Sequence, residues 1–97
     1  MYRRAYILIF DRDDDLDYKE LHELIITRPS VITWWHYIKS SYILIAKTNN
    51  ATVLKEEILK VIPGKRFLLI EANLKNRNGW LPQKAWDWIK TQTEKLR

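Results

Sequence analysis

The feature that most constrains this chain is a short apolar run that meets a cluster of carboxylates. Residues 6–10 read Tyr-Ile-Leu-Ile-Phe, and Asp11 follows them directly. A run this short and this rich in β-branched and aromatic residues is typical of a central strand buried on both faces. Asp11 then lies at the carboxyl end of that strand, held by the scaffold yet exposed to solvent, which is where open α/β sheets place their chemistry.

The composition indicates one compact globular domain that spans residues 1–97. There are no cysteines, so a disulfide framework and a thiolate metal site are both excluded, and a cytoplasmic location is expected. No segment approaches the roughly 20 apolar residues of a membrane span. We therefore expect a soluble protein that does not bind a membrane.

The charge of the chain is unevenly spread. Residues 11–23 carry seven acids against two bases, a net charge of −5, while the whole chain carries +5, so the remainder carries +10. A basic body suits a polyanionic partner, and an acidic corner can hold a divalent cation against a phosphate. Many small proteins are equally basic, so charge by itself leaves nucleic acid as one alternative among several.

The first strand is predicted over residues 2–10 and the first helix over residues 18–27. Asp17 is a good N-cap, and Glu20 follows three residues later, a pattern close to a capping box. Pro29 ends this helix because the residue before a proline is pushed out of the α region.

The next segments predict a hairpin, a helix and a strand. Residues 31–38 and 42–47 are dense in β-formers and are joined by a short polar connection. Thr48-Asn49-Asn50 offers turn and N-cap chemistry to a second helix that ends at the Pro63-Gly64 pair. Residues 66–72 then read as the fourth strand.

A polar loop follows, and Pro82 is well placed in the first turn of a third helix. The resulting order, β-α-β-β-α-β with an extra C-terminal helix, predicts an α+β fold of the ferredoxin-like plait type, with a four-stranded antiparallel sheet and both crossover helices on one face. The other face must be covered by the terminal helix or by another subunit, and we expect a homodimer.

The aromatic residues permit two interpretations. By the period-two rule Trp34, His36 and Ile38 point to one face of the second strand, whereas Trp35 and Tyr37 point to the other. An exposed aromatic face beside basic side chains is typical of base stacking with RNA, and packing against the terminal helix or a dimer partner is the alternative that we favour. Three further tryptophans near the terminal helix are predicted packing anchors: Trp80, Trp86 and Trp88.

Several of these segments resemble a known family, the SinR-like small proteins, which in turn resemble the Cas-two family of CRISPR adaptation. The resemblance is carried by residues 6–11, by Asp17-Tyr18, by residues 34–37 leading through Ser40-Ser41, and by residues 79–82 ahead of Ala85-Trp86. It covers nearly the whole chain, although its motifs are short and mostly structural.

The resemblance implies a ferredoxin-like homodimer related to metal-dependent nucleases, with Asp11 as the Mg²⁺ ligand and catalytic carboxylate. Several members of the wider group act as structural adaptors without cleaving nucleic acid, so the resemblance leaves activity open. We expect nucleic acid, RNA or DNA, to be contacted by four basic residues: Arg12, Lys39, Lys47 and Arg66.

The chemistry of the candidate residues is consistent with this expectation. Magnesium is commonly held by one or two carboxylates together with phosphate oxygens, so one Asp11 from each subunit suffices. In the alternative, Asp11 and its neighbours Asp13, Asp14 and Asp15 form a solvated turn, and their negative charge stabilises the N-terminus of the first helix. His36 is a weaker catalytic candidate, as a general base for RNA cleavage, and packing is the alternative for both His36 and His22.

Two functions from different classes therefore remain. The first is a dimeric, metal-dependent endonuclease acting on RNA or DNA. The second is a non-catalytic dimeric adaptor module that binds protein or nucleic acid.

Overall fold

The computed structural model describes residues 2–12, 17–62 and 64–97. These residues form an α+β fold with a four-stranded antiparallel sheet and three helices, as predicted. In chain order the elements are β1 (Arg4–Phe10), α1 (Tyr18–Ile26), β2 (Val31–Ile38), β3 (Ser41–Ala46), α2 (Ala51–Leu59), β4 (Phe67–Glu71) and α3 (Gln83–Lys95). No helix within the described ranges is both long enough and apolar enough to cross a membrane.

The first helix begins at its predicted N-cap, and the second begins at the last residue of the predicted capping stretch. One Asp17 carboxylate oxygen accepts hydrogen bonds from the amides of Lys19 and Glu20 at 3.1 and 3.2 Å. The Asn50 side chain accepts from the Thr52 amide at 2.9 Å. These bonds satisfy amides that have no partner inside a helix, so local chemistry accounts for where α1 and α2 start.

The sheet has the strand order β2-β3-β1-β4, and every neighbouring pair is antiparallel. Strand β1 is therefore central, as predicted from its apolar run. The carboxyl end of β1 lies beside the start of β4, where Phe10 pairs with Phe67, and beside the start of β3, where Ile9 pairs with Ser41.

One face of the sheet carries the larger core. Helices α1 and α2 both pack on this face, and their buried side chains Leu21, Ile25, Leu54 and Ile58 meet alternate residues of the central strands. The strand residues on this side include Tyr6, Leu8, Phe10, Tyr42 and Leu44.

Helix α3 packs on the opposite face. Its buried residues Ala85 and Ile89 join Ala5, Trp35 and Ile45 in a second core. Trp86 and Trp88 also pack there, which confirms two of the three predicted anchors.

The prediction for the third tryptophan, Trp80, was wrong. Its side chain is 99% exposed, because it belongs to the loop ahead of α3 rather than to the helix face that meets the sheet.

Helix α3 covers only part of its face. Ile9, Leu68 and Ile70 stay 46%, 52% and 51% exposed, and Ile7 is half-buried. These four residues form two cross-strand pairs, Ile7 with Ile70 and Ile9 with Leu68, and we call them the apolar patch. The expectation that β1 is buried on both faces is therefore wrong for its second half, because α3 reaches only the end of the sheet near Ala5.

Candidate functional site

Asp11 lies at the carboxyl end of β1, as predicted. Its amide donates to the carbonyl oxygen of Arg66 at 3.1 Å, and the Arg66 Nε donates to the Asp11 Oδ2 at 2.7 Å. The Asp11 side chain is 53% exposed and that of Arg66 is 91% exposed. An ion pair this exposed contributes little to folding, so both groups remain available to a ligand that competes for them.

Asp11 belongs to no larger cluster of metal-binding side chains in the described part of the chain. Residues 2–12, 17–62 and 64–97 contain no group of three or more histidine or acidic side chains arranged to hold a metal ion. The predicted solvated residues Asp13, Asp14 and Asp15 lie outside the described residues. One carboxylate fits Mg²⁺ only when other oxygens, such as substrate phosphates or a second Asp11, complete the coordination.

Three of the four predicted nucleic-acid contacts share this end of the sheet. Arg12 follows Asp11, and its guanidinium lies 4.0 Å from the centre of the Tyr18 ring. Lys39 belongs to the β2–β3 turn, which reaches the same end because the Phe10 amide donates to the carbonyl of the adjacent Ser40 at 3.1 Å. We call Asp11, Arg12, Lys39 and Arg66 the charged end.

The fourth predicted contact, Lys47, lies elsewhere. It follows the last residue of β3, Ala46, which pairs with Arg4 at the start of β1. Lys47 is therefore at the opposite end of the sheet, because β3 and β1 are antiparallel. The structure separates Lys47 from the other three basic residues.

The two histidines meet in the tertiary structure, although neither had a recognisable partner in the sequence. Their ring centres lie 5.6 Å apart, and both contact Tyr42. The His36 ring stacks on Tyr42 at 4.0 Å, and the His22 Nδ1 lies 2.7 Å from the Tyr42 hydroxyl. Trp34 packs its edge against His22 at 4.6 Å, so four rings form one cluster between α1 and the β2–β3 hairpin.

Hydrogen bonding determines what these rings can do. The His36 Nδ1 lies 3.0 Å from the Ser41 carbonyl oxygen, which can only accept, so this nitrogen carries the hydrogen. Burial is the larger cause that lowers the pKa of His22, and the nearby His36 lowers it further. Burial also raises the pKa of Tyr42 to about 12, so its hydroxyl stays protonated. The cluster fits packing, and a catalytic role for His36 remains a prediction.

Comparisons of the chain with protein-family models, with curated proteins and with solved structures give no match. The function must therefore be argued from the charged end, the apolar patch and their chemistry.

Proposed function

We propose that this chain is a ferredoxin-like domain that forms a homodimer through the apolar patch and binds nucleic acid at its charged end. The order β2-β3-β1-β4, with α1 and α2 on one face, supports the ferredoxin-like assignment because the split βαβ plait has that arrangement. Helix α3 is an addition to that plait.

The observation that carries the proposal is the half-covered second face of the sheet. Ile9, Leu68 and Ile70 are each about half exposed and adjoin one another through cross-strand pairing. Contiguous exposed apolar side chains on a sheet favour association. A second copy of the chain is a suitable partner because two identical patches are self-complementary about a twofold axis.

Sedimentation velocity tests the homodimer. We expect the unmodified chain to sediment as a dimer and Ile70→Lys to sediment as a monomer, because the substitution places a charge inside the apolar interface. Val53→Lys is the matched control, since Val53 is a comparably exposed apolar residue on α2, outside the patch. A chain that stays monomeric at every concentration contradicts the proposal, as does equal disruption by both variants.

Nucleic-acid binding is tested by comparing substitutions of two lysines, Lys39 and Lys47, which were both predicted from the sequence to contact nucleic acid. Lys39→Glu at the charged end is expected to weaken binding of a labelled oligonucleotide about tenfold, whereas Lys47→Glu at the other end is expected to have a several-fold smaller effect. Fluorescence anisotropy measures both. Equal losses for the two variants would move the interface away from the charged end.

A second candidate function is metal-dependent cleavage of the bound nucleic acid. A shallow cavity of about 270 Å³ beside Asp11 is also lined by Ile9, Arg66 and Leu68, so the carboxylate borders the apolar patch. Two copies that associate through the patch therefore bring their Asp11 carboxylates toward one seam. A bound Mg²⁺ neutralises charge on a phosphoryl group, and Arg66 is suited to orient that group.

Substitution of Asp11 separates the catalytic from the non-catalytic function. Asp11→Asn is expected to abolish Mg²⁺-dependent cleavage of RNA or DNA while the fold and the dimer persist. Asp87→Asn on α3, away from this site, is the matched control. Cleavage that survives Asp11→Asn removes Asp11 from the mechanism. Binding without turnover in the unmodified chain, with Mg²⁺ or Mn²⁺ present, leaves the adaptor function.

A further inference from the structure

A second concave surface lies between the edge strand β4 and helix α2, and it shares Leu68 with the apolar patch and Arg66 with the charged end. This β4–α2 groove has a volume of about 650 Å³. Its walls are residues of the first half of β4 and one side of α2, among them Phe67, Leu69, Thr52 and Leu59. Neither function proposed above uses its α2 wall or the outward edge of β4.

The backbone of β4 presents hydrogen-bonding groups toward the groove. Strand β4 is the last strand of the sheet that the described residues form, and it pairs only with β1. Arg66 and Ala72 bond to β1 through the Asp11 amide and the Ala5 carbonyl. In an antiparallel ladder such residues alternate with residues whose groups point outward. The outward residues are therefore Phe67, Leu69 and Glu71, at the open edge.

The lining of the groove is apolar with a basic rim. Phe67, Leu69 and Leu59 supply the apolar surface, and the lining includes Lys55 and Arg66 but no acidic residue. Lys55 forms an ion pair with Glu56 at 3.1 Å, and Arg66 forms one with Asp11 at 2.7 Å. Both carboxylates are exposed and do not line the groove. Exposed pairs of this kind exchange readily for a ligand carboxylate. The charge of the groove thus complements an acidic partner.

We propose that the β4–α2 groove binds an extended segment of a partner protein, apolar at its centre and acidic at its ends, which adds an antiparallel strand to β4. An open strand edge beside a helix suits this mode, in which backbone bonds supply affinity and alternate side chains enter the groove. The open edge of β4 presents both amides and carbonyls, and a peptide strand supplies partners for both, whereas a phosphodiester supplies acceptors only. Five residues of β4 accommodate about 17 Å of extended chain.

The geometry predicts which peptide amides are used. A residue opposite Phe67 or Leu69 in an antiparallel pair points its side chain to the same face and its amide toward β4. Apolar side chains that enter the groove therefore belong to the residues that bond to β4. Methylation of those amides should abolish binding, and methylation of the alternate amides should leave it intact.

The probe is a synthetic six-residue peptide, Glu-Val-Thr-Val-Thr-Glu, blocked at both ends. At a concentration of ten times its Kd, we expect hydrogen exchange of the Phe67, Leu69 and Glu71 amides to slow about tenfold. Leu68 and Ile70 already bond to β1 and should change less. N-methylation of the two valines should remove the protection, and N-methylation of the two threonines should retain it. Protection lost equally with both modified peptides, or absent with the parent peptide, overturns the proposal.

A charge reversal inside the groove provides a second test. Lys55→Glu is expected to weaken peptide binding about fivefold, because it replaces attraction to a glutamate with repulsion. Lys60→Glu, at the end of the same helix and outside the lining, should change it less than twofold. An oligonucleotide that protects the same three amides and displaces the peptide would overturn the proposal in favour of nucleic acid.

Discussion

The Asp17 carboxylate accepts hydrogen bonds from two backbone amides at the start of α1. Asp17→Ala is expected to lower the free energy of unfolding by about 1 kcal/mol, because it leaves these amides without an acceptor. Asp17→Asn retains the acceptor oxygen and should lose much less. Urea unfolding followed by tryptophan fluorescence measures both, and equal losses would show that the charge rather than the hydrogen bond matters.

His22 makes stability depend on pH. Its pKa is lowered in the folded chain by burial and by His36, with Glu23 opposing, while Tyr42 and Trp34 face it without charge. The unfolded chain therefore binds a proton more readily than the folded chain. The contribution of His22 is complete above its ordinary pKa of about 6.5 and is lost as pH falls toward the lower folded value.

The substitution His22→Gln isolates this contribution. The difference in unfolding free energy between the unmodified chain and His22→Gln should shrink as pH falls from 7.5 to 5.5, because only the unmodified chain has the imidazole to protonate. Chemical denaturation across this pH range provides the measurement. A difference that stays constant with pH would exclude His22 as the titrating group.

The two faces of β1 should respond differently to truncation. Leu8 is fully buried against the helices, whereas Ile9 is about half exposed in the apolar patch. Leu8→Ala is expected to cost about 2 to 5 kcal/mol, and Ile9→Ala about 1 kcal/mol or less in the monomer. Both are measured in the Ile70→Lys background so that dimerisation does not contribute. A comparable loss for both would mean that the patch is covered within the monomer.

The strand and helix boundaries were predictable because their signals are local. Asp17, Asn50 and the hairpin residues act over a few positions, so β2 was predicted over its observed span and the other elements within a few residues. The extent of covering by α3 was not predictable. The sequence allowed a helix or a second subunit over the second face, and the footprint of α3 leaves room for both.

The affinity of the proposed nucleic-acid interface should depend on salt concentration. Three cations at the charged end, Arg12, Lys39 and Arg66, should release about three counterions from duplex DNA per protomer. The slope of log K against log salt is then about −2.7, and affinity falls about 40-fold between 50 and 200 mM salt. Anisotropy titrations at four salt concentrations test this. Binding that ignores salt argues for a protein ligand instead.

The sequence by itself determined the order of elements, the cap of α1, the stretch that caps α2, the central position of β1 and the exposure of Asp11, because alternation, capping and chain punctuation act between near neighbours. Only the tertiary structure decided which distant residues meet. In the tertiary structure Asp11 pairs with Arg66, and His22 and His36 both contact Tyr42. Lys47 and Lys39 lie at opposite ends of the sheet, and Trp80 is exposed to solvent. These outcomes depend on strand order and helix placement, which bring together positions that no local pattern relates.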